Sequence, residues 1–193
     1  MTTPVVINRE LFVLIGVPFS GKTTIAKRLC REGDLLLSRD EILEGLYQDT
    51  EVISRMKEDA KQIPFPRSRL FSTGVENAFN DLLTTAYVEI VADLFRKSGA
   101  PRVIVDGTHL QALSRSFVAE ASKSMRCVAF WMNVSVDECV FRFHSSRELV
   151  GIRSTLTEKK IREMNDYLEI PTRFEGFDEI RNFLPESPLD SLS

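Results

Sequence analysis

A chain of 193 residues is long enough for one well-buried domain and too short for two comfortable ones. With 43 % hydrophobic and 27 % charged residues and a net charge of −3, the composition is that of a globular protein and argues against broad, nonspecific nucleic-acid binding. No apolar run approaches the ~20 residues of a membrane span, no basic-then-apolar leader opens the chain, and Cys30, Cys127 and Cys139 lack paired spacing, so reduced thiols in a reducing cytoplasm are expected.

Leu11-Phe12-Val13-Leu14-Ile15 is an unbroken apolar run, suited to a central parallel strand over about 11–16. It runs into Gly16-Val17-Pro18-Phe19-Ser20-Gly21-Lys22-Thr23, which fits G-x-x-x-x-G-K-[ST], the phosphate-binding P-loop. Ile25, Ala26, Leu29 and Cys30 then repeat at helical spacing toward Gly33, a residue suited to the end of a helix. Strand, loop and helix in this order aim backbone N–H groups and the positive helix end at one point. Gly16, Pro18, Phe19, Ser20, Gly21, Lys22, Thr23 and Thr24 are therefore the candidate nucleotide-binding residues. Lys22 suits the β- and γ-phosphates, and the Thr23 hydroxyl suits Mg²⁺. The chemistry leaves Lys22 partly exposed and without a packing role.

Leu35-Leu36-Leu37 marks a second strand over 35–38, and Ser38-Arg39-Asp40 ends it. At neutral pH an ionised Asp40 can accept a proton from a substrate hydroxyl. It stands equally well as an N-cap for the short helical pattern of Ile42, Leu43, Leu46 and Tyr47. Region 48–73 reads as irregular and basic, with Pro64 and Pro66 around Phe65 and with Arg55, Lys57, Lys61, Arg67 and Arg69, either a loop or a substrate-side insertion. The longest helix is expected over 74–97, with Val75, Ala78, Phe79, Leu82, Leu83, Ala86, Ile90, Leu94 and Phe95 as its apolar stripe.

A third strand, 102–106, ends Val103-Ile104-Val105-Asp106-Gly107-Thr108. Three apolar residues and then an acid suit a carboxylate that holds Mg²⁺ or a metal-bound water, so Asp106 joins Thr23 as a candidate metal residue. A turn aspartate before glycine is the plainer reading. A fourth strand over 126–133 places Trp131 in the core, and a fifth is expected near 179–184. Thr155-Leu156-Thr157-Glu158 fits a capping box for a helix over 157–168 whose buried face is Ile161, Met164 and Leu168. His109 and His144 have no metal-ligand spacing and read as surface or hydrogen-bonded residues. Alternation of strands and helices implies right-handed crossovers and a parallel sheet with helices on both faces.

Between Arg142 and Arg162 stand six lysines and arginines against two acids, followed by eight acids and two arginines to the end of the chain. Arginines beyond the fourth strand suit a lid over a triphosphate, because the guanidinium stays charged and binds phosphate oxygens as a fork. Arg147 and Arg142 are the candidates, ahead of Arg153. One domain is expected over 1–184, with 185–193 as a flexible tail.

Taken together, Gly16–Thr23, Ser38-Arg39-Asp40, Val103–His109 and Arg142…Arg147 resemble the kinase domain of phage-type polynucleotide 5′-hydroxyl kinases, and more distantly the zeta-toxin-like sugar-nucleotide kinases. Ile161…Met164…Tyr167, Glu169-Ile170-Pro171 and Glu175–Ile180 are similar to that family's closing segment, so the likeness covers about residues 10–182. It implies an α/β P-loop NTPase fold of the kinase type, three-layered, with a central parallel sheet of four or five strands and a C-terminal lid. It implies ATP and Mg²⁺ as cofactors, Asp40 as the general base and Arg147 as a lid arginine at the transferred phosphate. Where the family carries an arginine that grips the acceptor's 3′-phosphate, this chain has Leu43, and Gly107 replaces the second acid of the strand end. The expected acceptor is the 5′-OH of a single-stranded nucleic acid end or nucleotide. The alternatives are a small-metabolite hydroxyl (sugar, sugar nucleotide or antibiotic) and an ATP-hydrolysing binding module without acceptor. No membrane and no obligate protein partner is expected.

Overall fold

The computed structural model describes residues 9–67, 73–146 and 156–184. Five strands form one sheet: β1 (Glu10–Ile15), β2 (Leu35–Ser38), β3 (Arg102–Asp106), β4 (Arg126–Met132) and β5 (Glu179–Phe183). All neighbours run parallel in the order β2-β3-β1-β4-β5. The chain thus moves from β1 outward to β2, returns to β3, and crosses over to β4 and β5. The reversal beside β1 opens a crevice at the carboxyl ends of the central strands.

Side chains alternate across the sheet as the two-residue strand period requires. Leu11, Val13 and Ile15 face Tyr87, Val91, Phe95, Phe117 and Val118, which belong to α4 (Gly74–Lys97) and α5 (Phe117–Ala121). Phe12 and Leu14 face Ile25, Ala26 and Leu29 of α1 (Lys22–Leu29). The sheet therefore lies between two helical layers, and both faces of its central strands are apolar. The two layers account for the continuous hydrophobic runs in the sequence.

Several local expectations change. Region 48–73 is not mostly irregular: after α2 (Arg39–Gln48) comes α3 (Thr50–Ala60), capped by Asp49, which accepts from the Val52 N–H at 3.1 Å. α3 buries Ile53 and Ala60 and packs along α4. Residues 68–72, with Arg69, lie outside the described residues. Helix α4 has the expected ends, with a Thr73–Glu76 capping box, but its buried stripe is rotated: Thr84, Tyr87, Val91 and Phe95 point inward and Val75 is exposed. This helix is apolar on more than one side, so its sequence leaves the facing side undecided. Helix α1 stops at Leu29 with Cys30 as C-cap, and Gly33 instead takes a left-handed turn at φ 86°. The last helices are α6 (Val136–Ser145) and α7 (Glu158–Asp166), and the N-cap of α7 is Thr157, accepting from Lys160 N–H at 3.2 Å; Thr155 lies outside the described residues. Trp131 is half-buried against the core rather than enclosed by it. Cys127 and Cys139 are buried, Cys30 is half-buried, and all three are free. The expected tail, 185–193, is outside the described residues.

Two ion pairs fix the frame. The Arg102 guanidinium donates to the nearly enclosed Asp34 carboxylate at 2.6 and 3.2 Å, tying the start of β3 to the turn before β2. Arg115, fully buried, meets Glu175 at 2.6 and 3.0 Å and donates to the carbonyls of His109, Leu110 and Glu169. No helix among the described residues is long and apolar enough to cross a membrane.

Candidate active site

The loop after β1 is built from unusual backbone. Gly16 has φ 152°, Phe19 φ 65° and Gly21 φ 97°. A left-handed phenylalanine is uncommon and is held here by its surroundings: its ring packs edge-on against Phe143 of α6, with centroids 5.5 Å apart. Gly21 is the N-cap of α1 and brings no side chain to it. The orphan N–H groups of the first helical turn are therefore left to an incoming anion, at the positive end of the helix. Lys22 is buried, not partly exposed as the motif led one to expect; its ammonium donates to the Val17 carbonyl at 2.7 Å and to Ser20 Oγ at 3.4 Å. Ser20 is itself buried.

The ends of β2 and β3 converge on this loop. In the parallel register Ser38 pairs with Asp106, so the β3 carboxylate stands beside the end of β2, two residues before Asp40 of α2. The N-cap of α2 is Ser38, which accepts from the Glu41 N–H at 3.3 Å. Asp40 lies within the first turn of the helix, so the capping role open to it in the sequence belongs to Ser38. Arg39 stacks its guanidinium over the Tyr87 ring at 5.5 Å, and burial lowers its pKa.

Behind these residues runs a buried polar column. His109 is fully enclosed and left-handed at φ 44°. Burial depresses its pKa to about 3, so the imidazole is neutral. Its Nδ1 lies 2.7 Å from the Leu14 carbonyl, which can only accept, so Nδ1 carries the proton. Nε2 is then the acceptor for the Tyr87 hydroxyl at 2.7 Å. Burial raises the Tyr87 pKa and keeps that donor protonated. The Gly16 N–H donates to the Thr108 carbonyl at 3.0 Å, which joins the loop after β3 to the phosphate loop. His109 is thus a hydrogen-bonded core residue, and His144 is an exposed residue 2.9 Å from Glu158.

One cleft of about 660 Å³ gathers most of the predicted site: Pro18, Phe19, Gly21, Lys22, Thr23, Thr24, Asp40, Asp106 and Arg142 all line it. Gly16 and Ser20 belong to the loop and do not line the cleft. Arg142 donates to Glu138 at 2.8 Å and to the Phe19 carbonyl at 3.3 Å, which places its guanidinium at the edge of the phosphate loop. Arg147 and Arg153 lie outside the described residues. Sequence reasoning missed the wall supplied by Asn80, Leu83 and Thr84 of α4 and by Leu110, Gln111 and Leu113 after β3. The three-to-four-residue spacing in α4 is visible in the sequence, yet there it reads as ordinary helix patterning. It missed Arg39 as well, although that residue adjoins Asp40.

A divalent ion fits the donors present. Among the described residues no group of three or more His, Cys, Asp or Glu could hold a metal alone. Thr23 and Asp106 line the same cleft, and Mg²⁺ characteristically takes one or two protein oxygens with phosphates and water completing the shell.

Solved structures share this architecture. A gluconokinase from Sinorhizobium meliloti 1021 is 15 % identical with a TM-score of 0.58, over 96 % of this chain and 87 % of that one. A shikimate kinase from Bacteroides thetaiotaomicron is 17 % identical with a TM-score of 0.52, over 90 % and 86 %. The Mycobacterium tuberculosis APS kinase CysC, in complex with AMPPNP and APS, is 14 % identical with a TM-score of 0.51, over 95 % and 92 %. At these identities the likeness is one of fold, and the fold is that of the P-loop kinases in general, coarser than the phage-type polynucleotide kinases expected from the sequence. No curated protein matches the sequence. A family model described as AAA domain matches residues 11–171, most of the sequence, and the chain belongs to that family.

Proposed function

We propose that the protein is a kinase that transfers the γ-phosphoryl group of ATP to a hydroxyl of a small molecule. The observation that carries this reading is the convergence of Lys22, Asp106 and Asp40 on one cleft of about 660 Å³, a volume suited to small ligands. Lys22 and the N–H groups after Gly21 hold the phosphates. Thr23 and Asp106 are the residues that would hold Mg²⁺, which when bound offsets charge on the phosphate oxygens. Asp40 accepts the proton of the acceptor hydroxyl as its oxygen bonds to the γ-phosphorus and the bond to the β-phosphate oxygen breaks, releasing ADP. Arg142 faces the charge that spreads over the transferred group. Fold neighbours named gluconokinase, shikimate kinase and APS kinase support small molecules as the acceptor class. This alternative replaces the 5′-OH nucleic acid end first expected from the sequence. Asp40 distinguishes the site from a hydrolysing switch, which has no use for an acceptor base.

The test is an acceptor screen with γ-labelled ATP and Mg²⁺, covering small alcohols and 5′-OH oligonucleotides, with Lys22→Ala as control. Label should appear on a small molecule and vanish in the variant. Label confined to oligonucleotides would restore the polynucleotide reading, and hydrolysis without transfer to any acceptor would favour the switch.

A further inference from the structure

The cleft has two unlike halves. The half under β1 and α1 carries the phosphate loop. The half under β2 and β3 is where an acceptor must lie, because Asp40 stands there. On α2, Asp40, Leu43 and Tyr47 fall at i, i+3 and i+7, so the carboxylate and two apolar side chains share one stripe that faces the cleft. Leu83 of α4 and Leu113 of the segment after β3 line the same cleft, and Leu110 closes it toward Val17 and Ile161. The polar groups among them are partly committed to the protein. Ser114 donates its hydroxyl to the Gln111 carbonyl at 2.7 Å, and Asp81 accepts from the Arg67 N–H at 2.5 Å.

Charge points the same way. Among the lining residues contributed by α2, α4 and the segment after β3, Arg39 is the one cation, against Asp40 and Asp81. Its guanidinium lies over Tyr87, and its Cβ and Cδ press against Gly107, where an added Cβ would come within 2.9 and 3.1 Å of them. A glycine at 107 is what lets Arg39 lie this deep, against the wall and not out across the opening. An anionic acceptor would meet an excess of carboxylates on this side. A polyol could reach Asn80, Thr84 and Gln111 but would set its other hydroxyls against leucine, and each one left unpaired costs roughly tenfold or more in affinity.

We infer that the acceptor is a non-anionic alcohol built on an apolar ring, whose body lies against Leu43, Tyr47, Leu83, Leu110 and Leu113 while its hydroxyl meets Asp40. This rests on the kinase reading above. Apolar faces of a ring gain from burial without needing partners, and a single hydroxyl is enough to meet Asp40.

Two readouts separate the inference from that reading. Transfer from labelled ATP is compared for 2-phenylethanol, cyclohexanol and 3-phenyl-1,2-propanediol against glycerol, glucose, gluconate and a 5′-OH oligonucleotide. In parallel, saturation-transfer NMR follows binding of the same alcohols to Lys22→Ala. The ring alcohols should exceed the polyols by at least roughly tenfold in kcat/KM and should bind the variant. Leu43→Gln should raise KM for ring alcohols about tenfold with a smaller effect on kcat; should that variant not fold, Tyr47→Ala, at the exposed rim, should raise it in the same direction. Ring alcohols that bind while nothing in the panel is phosphorylated would uphold the pocket and sink the kinase. Transfer confined to polyols, gluconate or the oligonucleotide, or a Leu43→Gln variant with unchanged KM, would overturn the inference and leave the kinase standing.

Discussion

Removing the carboxylate of Glu175 should destabilise the whole domain. Arg115 has no exposed side-chain surface and Glu175 only 15 %, and the two meet as a fork at 2.6 and 3.0 Å. Three backbone carbonyls engage the remaining nitrogen but bring no countercharge. Breaking a buried pair from one side typically costs about 3–5 kcal/mol, because the other charge stays behind. Glu175 also accepts from the Thr172 N–H at 2.8 Å, and losing such a cap adds about 1 kcal/mol. Glu175→Ala should therefore lose about 4–6 kcal/mol in urea unfolding, and its Tm should fall by roughly 10–20 °C at ~2–4 °C per kcal/mol for a chain of this size. The double variant Arg115→Met/Glu175→Leu should recover most of that loss, since an apolar pair of similar volume leaves no charge to solvate. A loss below about 1 kcal/mol in Glu175→Ala would refute the argument, and so would a double variant no more stable than the single.

Asp40→Asn should lower phosphoryl transfer by ~10²–10⁴-fold while nucleotide affinity barely changes, and because Ser38 holds the cap the melting temperature should move little; full activity would exclude a base at this position. Burial holds His109 near pH 3 against its ordinary 6.5, so below pH 6.5 the unfolded chain binds a proton that the folded chain refuses. Stability should then fall by about 1.4 kcal/mol per pH unit on acidification toward 3, and His109→Gln, compared by urea titration, should lack this component. Gly107→Ala places a Cβ 2.8 Å from His109 Cε1 and 2.9 Å from Arg39 Cβ, and should cost ~1–3 kcal/mol in the same assay. Under native conditions Cys30 should be alkylated first, because Cys127 is buried with its pKa pushed up to about 12 and Cys139 is buried with its pKa raised; mass spectrometry of a time course reads the order.

The central strands β1, β3 and β4 were legible because each buries both faces, which leaves an unbroken apolar signature such as Leu11–Ile15, whereas β5, at the sheet edge, carries no such run. The phosphate loop was legible because its glycines and lysine answer to local backbone geometry. Helix α3 was hidden by its charges: Ile53 and Ala60 are its only buried residues, and the prolines nearby suggest a loop. The face of α4 was decided by the sheet it meets, which no local pattern encodes. Arg115 gave no signal at all, since its partner lies 60 residues further along the chain. In the candidate site the charged and glycine positions were readable, whereas the leucine wall depends on how three separate elements come together.

The bonds around His109 carry a consequence for local opening. Its imidazole holds the Leu14 carbonyl, the neighbouring Thr108 carbonyl holds the Gly16 N–H, and its own carbonyl is held by Arg115, which is locked to Glu175. The glycine-rich loop therefore has no inexpensive way to fray alone: releasing it means releasing β1, the segment after β3 and residues near 175 as one cooperative unit. The Gly16 amide should exchange with solvent deuterium on the slow timescale of the sheet interior, unlike the amides of an ordinary surface loop.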